Sequence, residues 1–213
     1  MKLLSVVALL CSAVVSYGQS TISYEAGNAE RNVFFNGLAV PDGNVAKIGF
    51  FTPGFDLTAN ANNLSALNAN WTELDFALFR AVFSPANDGR FSDTASTANT
   101  AFDNKRISLW VFKTSDNAAP AVGFGNVAGY GIFSSTLANW VFPSQSGTPP
   151  LTTSVYSSEV NQAYHGAFDA DPINGHLFLT PVPEPSAFAL VGLAFGALIA
   201  ARRRLHARIK RTR

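Results

Sequence analysis

Between residues 19 and 181 the hydrophobic positions recur mostly with a period of two. Leu74, Phe76 and Leu78 alternate with Glu73, Asp75 and Ala77, which predicts a strand that buries the first set. Residues 106–113 begin to alternate and then turn apolar on both faces at Leu109-Trp110-Val111-Phe112, the pattern of a central strand covered on both sides. Further strands are predicted at 21–25, 32–35, 46–52, 131–135, 139–142, 151–156 and 176–179. One short helix is predicted over 63–71, where Leu64, Leu67 and Trp71 share a face. Turn-forming clusters separate these elements: Pro41-Asp42-Gly43-Asn44, Asn87-Asp88-Gly89, Ser115-Asp116-Asn117 and Asp171-Pro172-Ile173-Asn174-Gly175. Short strands about ten residues apart, joined by polar turns, predict an all-β body: a β-sandwich or jelly roll with one short helix. No segment repeats at a fixed period, which argues against a solenoid. Residues 19–181 have the size of one domain. They hold 16 of the 18 phenylalanines and all three tryptophans, ample material for a core.

Both ends break this rhythm. At the front, Lys2 precedes a mainly apolar run at 3–15, and Ser16 and Gly18 occupy the −3 and −1 positions of a cut between Gly18 and Gln19. That is the pattern of a secretory signal peptide over residues 1–18. The run is too short to cross a hydrocarbon core of about 30 Å. Cys11 would offer a lipid-attachment site, but Leu10 stands where a small residue is wanted. At the back, Val182-Pro183-Glu184-Pro185-Ser186 leads into an apolar stretch that ends at Arg202-Arg203-Arg204. Pro185 suits the first turn of a helix and Glu184 suits its positive end. A helix over 185–201 would be roughly 26 Å long, enough to cross a bilayer with the arginines snorkelling. The basic residues beyond it place the C-terminus in the cytoplasm and the body outside. Gly192 and Gly196 form a single small-xxx-small pair.

Charge follows the same division. The formal net charge is +1, but residues 19–181 carry seven Lys/Arg against thirteen Asp/Glu, whereas residues 202–213 carry seven Lys/Arg and no acid. Removing both ends therefore leaves a body of net charge −6, or −7 if Glu184 stays with it. With 47% hydrophobic and 14% charged residues, the chain is neither disordered nor polycationic. The basic residues of the body are scattered, so no nucleic-acid partner is expected. The single cysteine, Cys11, falls in the signal peptide; disulfides and cysteine-bound zinc are excluded from the mature body, which must rely on packing.

The order Pro183-Glu184-Pro185, apolar helix, Arg202-Arg203-Arg204 resembles the PEP-CTERM sorting signal of exported proteins in Gram-negative bacteria. The resemblance covers residues 182–204, and residues 205–213 extend past the usual short basic end as a cytoplasmic tail. It implies recognition by an exosortase, a multi-spanning membrane enzyme that processes the tail at or near the motif. The body would then pass to the cell surface, outer membrane or extracellular matrix, after transient attachment to the inner membrane through the C-terminal helix. Pro183, Glu184, Pro185 and Arg202 to Arg204 would be substrate residues read by that enzyme, not catalytic groups. The stretches 107–112, 131–135 and 140–143 also resemble patterns in other exported proteins with this signal, which implies a shared all-β body and no particular activity.

The body itself offers little recognisable chemistry. His165 and His176 are its only histidines, and it has no Gly-x-Ser-x-Gly elbow. They read as surface or strand-end residues. Asp169 and Asp171 could pair as acid and base in glycoside hydrolysis, but two acids in a turn read as solvated. Asp169, Asp171 and Asn174 also approach a calcium loop, although the pattern wants the Asn one position earlier and a Glu where Thr180 stands. An Asn174-Gly175 hairpin turn accounts for them. Gly123-Phe124-Gly125-Asn126-Val127-Ala128 matches a dinucleotide fingerprint in letters only, with no helix pattern after it. No metal, cofactor or catalytic residue is assigned. The expectation is a non-enzymatic structural or adhesive protein. The alternative is a carbohydrate-binding module for extracellular polysaccharide, which would call for an exposed aromatic platform from Trp71, Trp110, Trp140 or the tyrosines.

Overall fold

The computed structural model describes residues 19–26, 32–80, 89–145, 151–169 and 175–182. The signal segment 1–18, the turn residues Asn87 and Asp88, and everything from residue 183 onward lie outside the described residues. The class is all-β, with twelve strands and one short α-helix among the described residues. The strands are β1 (Ser20–Ala26), β2 (Val33–Phe35), β3 (Leu38–Ala39), β4 (Val45–Phe51), β5 (Trp71–Leu78), β6 (Phe91–Thr97), β7 (Ser108–Thr114), β8 (Val127–Ser134), β9 (Thr152–Tyr156), β10 (Gln162–His165), β11 (Ala167–Phe168) and β12 (Leu177–Pro181). The helix α1 covers Leu64–Ala69. A three-stranded sheet runs β6-β1-β9, and a nine-stranded sheet runs β3-β2-β12-β8-β7-β4-β5, with β10 paired to β8 and β11 to β12. Most neighbours are antiparallel; β1–β9 and β2–β12 are parallel.

The centre of the large sheet is apolar on both faces. On one face Ala46, Ile48, Leu109, Val111 and Phe133 share a core with Ile22, Tyr24, Ala95 and Val155 of the three-stranded sheet. On the other face Phe51, Trp110, Phe112, Tyr130 and Ile132 form a second, aromatic-rich cluster with Leu67 of α1. Phe55, Leu57, Leu64, Phe124 and Tyr164 close over that cluster from loops and strand ends. The double-faced apolarity read at Leu109–Phe112 is thus accounted for by two separate covers. The second cover is the long β4–β5 connection, closed at its base by the Thr52 amide donating to the Asn70 carbonyl at 2.8 Å.

Three expectations change in detail. In β5 it is Ala77 that faces the first core, while Phe76 is 45% exposed. The cause is a bulge: Ile48 pairs with Asp75 but Gly49 pairs with Glu73, so Leu74 is the extra residue. Such a bulge swaps the two faces, which turns Leu74 to the first core and Trp71 to the second. The helix is shorter than 63–71. Asn63 caps it by accepting the Ala66 amide at 3.0 Å, and the Asn70 side chain donates to the Ala66 carbonyl at 2.9 Å, after which Trp71 opens β5. Residues 139–142 are not a strand. Ala138–Trp140 form a 3-10 turn, and only Val141 bridges to Arg106.

Buried polar side chains hold these irregular segments. Asn44, fully buried, accepts from the Thr114 amide at 2.8 Å and the Thr114 hydroxyl at 3.1 Å, and donates to the Pro41 carbonyl at 2.8 Å. Glu159 accepts from Asn139 Nδ2 at 2.9 Å, Trp140 Nε1 at 3.0 Å and the Tyr156 amide at 3.2 Å, which pins the 138–140 turn to the end of β9. Tyr24 lies between the two sheets. Burial, then the carboxylates of Asp75 and Asp93, push its ionisation far above the usual phenol range. Tyr130 donates its hydroxyl to the Ala61 carbonyl, and burial pushes its pKa up to about 12. His165, at the end of β10, stacks on Tyr130 with centroids 4.1 Å apart, and burial holds its pKa below the usual 6.5.

Two predictions follow from this packing. A Cβ at Gly131 would run into the Phe133 ring, which is fully buried and has no room to withdraw, whereas a Cβ at Gly125 would meet nothing within 4 Å. Gly131→Ala should cost about 1–3 kcal/mol in urea unfolding, and Gly125→Ala should be neutral or mildly stabilising. His165 is neutral in both folded and unfolded chains above its ordinary pKa of 6.5. Below that value the unfolded chain takes up a proton first, so stability should fall as the pH drops from 6.5 toward the lowered folded value. Thermal melts should show this slope in the parent and a flatter one in His165→Phe, which keeps the ring against Tyr130.

Candidate functional site

The chain leaves the body from the interior of the large sheet. In β12, Leu177 is fully buried and Leu179 nearly so, between β2 on one side and β8 on the other. Thr180 pairs with Tyr130 and Pro181 with Gly129. Pro181 has no amide to continue the ladder, and one further bond, from the Val182 amide to the Ala128 carbonyl at 3.0 Å, ends the ordered pairing. Val182 packs against the aromatic cluster. The segment that carries Pro183, Glu184 and Pro185 therefore begins one residue after an anchored strand end; these residues, the 185–201 helix, Arg202 to Arg204 and the tail 205–213 lie outside the described residues. No helix among the described residues is long and apolar enough to cross a membrane. At the other end, exposed Gln19 directly precedes β1, while Gly18 lies outside the described residues.

The other singled-out residues scatter. Asp169 directly follows β11, with its amide bonded to the His176 carbonyl at 2.9 Å, and Asp171 and Asn174 lie outside the described residues. No group of three or more His, Cys, Asp or Glu among the described residues could hold a metal ion. His165 is the buried strand-end residue described above. His176 stands edge-on to Phe34, centroids 5.0 Å apart. Gly123 sits in a single 3-10 turn, Val122–Phe124, with β8 following where a dinucleotide site would need a helix. Trp110 and Trp140 are 1% and 0% exposed, and Trp71 is half-buried against Phe51 and Trp110. The tryptophans thus serve packing, with Trp71 at its margin.

Two surface features were not visible in the sequence. The outer face of the three-stranded sheet is a grid of hydroxyls. Thr21 meets Ser96 at 3.0 Å and Ser23 meets Thr94 at 3.1 Å, with Thr152 and Ser154 in register on the far side of β1. The second is a groove of about 440 Å³ on the other side of the molecule, over the aromatic cluster. Phe51, Phe55, Leu57 and Tyr164 give it apolar walls, and Asn104, Lys105, Arg106 and Ser108 give it polar ones. Arg106 Nη1 donates to the carbonyls of Ser135 at 2.9 Å and Leu137 at 3.0 Å. No carboxylate lines the groove, and neither Lys105 nor Arg106 forms an ion pair among the described residues. Its residues come from stretches far apart in the chain, which is why no local motif announces it.

No curated protein and no solved structure matches the chain. Residues 181–204 match the family model of the PEP-CTERM protein-sorting motif. The match starts at the last residue of β12 and includes Pro183-Glu184-Pro185 and Arg202 to Arg204. By that motif the chain carries a PEP-CTERM protein-sorting signal, which implies export and recognition as an exosortase substrate.

Proposed function

We propose that the body, residues 19–181, is a non-catalytic structural or adhesive component that reaches the cell surface or extracellular matrix once the sorting segment has been processed. Its two sheets are read as the layers of a β-sandwich of jelly-roll kind. The observation that carries this reading is the position of β12. The strand is fully integrated between β2 and β8, and the sorting match begins at its end, so a cut at or beyond Pro183 leaves every described core residue in the body. The released body then carries a net charge of −6 or −7, suited to a solvated extracellular setting. The hydroxyl grid on β6-β1-β9 supports the adhesive part, because rows of Ser and Thr can hydrogen-bond a hydrated polymer without a deep pocket. The second reading, a carbohydrate-binding module, is favoured by one observation: the groove with aromatic walls and a polar rim.

Mass spectrometry of the surface-located protein tests the sorting step. The expected mature C-terminus lies near Pro183-Glu184-Pro185, and Glu184→Ala should accumulate as uncut precursor in the membrane fraction. Recovery of Arg213 in the surface-located protein would replace processing with a simple membrane anchor. The independence of the body is tested by truncation. A chain that stops at Val182 keeps every described core residue and should melt within about 0.5 kcal/mol of the parent. A chain that stops at Gly175 loses the buried Leu177 and Leu179 and opens β2 and β8, and should fail to fold by circular dichroism.

A further inference from the structure

The groove over the aromatic cluster combines three properties that packing alone does not require. Its volume, about 440 Å³, lies within the roughly 300–1,000 Å³ of small-ligand sites. Its lining combines aromatic and aliphatic residues, Phe55, Leu57 and Tyr164, with the polar residues Asn104, Lys105, Arg106 and Ser108. Its two cations are neighbours in sequence and form no ion pair among the described residues, in a body where acids outnumber bases thirteen to seven. The acids nearest in sequence, Asp56 and Asp103, are not among the residues that line it; Asp56 Oδ1 accepts the Ala59 amide at 2.9 Å, and Asp103 Oδ2 lies 3.5 Å from the Ser144 hydroxyl. Arg106 is held in place by two carbonyls rather than neutralised by an acid, so it keeps both its position and its charge for a ligand.

We propose that this groove is a binding subsite for a carboxylated sugar residue of an acidic polysaccharide, with Lys105 and Arg106 receiving the carboxylate and the Tyr164 and Phe55 side contacting the ring. A lone inorganic anion would leave the aromatic walls unused, and a neutral sugar would leave the paired cations unused. A uronate uses both. The negative charge of the rest of the body repels a polyanion, which leaves this groove as the favoured landing place. The inference deepens the surface reading and rests on it, yet it can be measured apart from it.

The full chain, purified in mild detergent, is titrated by calorimetry with a galacturonate trimer, maltotriose and inorganic phosphate. The trimer should bind and maltotriose should not, and binding should weaken as salt rises from 50 to 200 mM. Lys105→Glu should lower affinity by about tenfold or more, whereas Lys105→Arg should largely preserve it. Tyr164→Ala should also weaken binding; if that variant melts abnormally, the Lys105 pair decides alone, because Lys105 is a groove-rim residue outside both cores. Equal binding of maltotriose, displacement of the trimer by equimolar phosphate, or unchanged affinity in Lys105→Glu would overturn the proposal. Retention of the protein on washed cells without trimer binding would overturn the ligand and leave the surface reading standing. Trimer binding with no surface retention would do the opposite.

Discussion

A sheet that is apolar on both faces has to be covered on both faces, and β4, β7 and β8 impose that condition on the rest of this molecule. Leu109 and Val111 point one way, Trp110 and Phe112 the other, and all four are almost wholly buried. Burial of a large apolar side chain is worth roughly 1.5–3 kcal/mol, so leaving either set exposed would cost more than a marginally stable domain can lose. The three-stranded sheet answers on one side. On the other side no second sheet lies among the described residues, and the cover comes from the β4–β5 connection with α1, the turn at Val122–Phe124 and the end of β10. With no cysteine after Gln19, that double cover is what holds the body together.

A cover made from irregular chain brings a second requirement, because its backbone groups have no ladder to satisfy them. Side-chain amides and carboxylates take over. Asn44 fastens the β3–β4 turn to β7, and Asn126 accepts the Ala121 amide while donating to Asp116 and the Ala119 carbonyl. Glu159 gathers three N–H donors from two turns. The same logic explains where the sorting segment starts. Pro181 cannot extend the ladder and Val182 makes one last bond, so the chain is released from the sheet at a defined residue.

What could be read from the sequence depended on how local the information was. The sorting motif is linear, and its order of Pro-Glu-Pro, apolar run and arginines needs no fold to be recognised. β7 was legible because its continuous apolar run has only one good explanation. β5 was misread at Phe76 because a single extra residue, Leu74, reverses the faces, and nothing in an alternating pattern announces a bulge. Residues 139–142 look like a strand by composition, but Trp140 Nε1 is bound to Glu159 in a 3-10 turn. β6 (Phe91–Thr97) was missed because the face that carries Phe91 continues with Asp93, small Ala95 and Thr97, while the other face is Ser92, Thr94 and Ser96. The groove was out of reach for a different reason: residues 51–57, 104–108 and 164 meet only after the large sheet and its irregular cover have formed.

That last point links the packing to the function. A regular sheet laid on a regular sheet interdigitates and leaves few gaps, which is how the first core is built. A cover assembled from loops and a six-residue helix cannot match the aromatic face beneath it as closely, and Phe51, Phe55 and Tyr164 remain at the margin of the second cluster. The groove is therefore a consequence of the way the second face is closed. At that margin the 104–106 turn, set by its bonds to Phe142 and Ser135, brings two cations beside apolar rings. Apolar and basic residues coincide where the irregular cover ends, and the groove they line interrupts neither core.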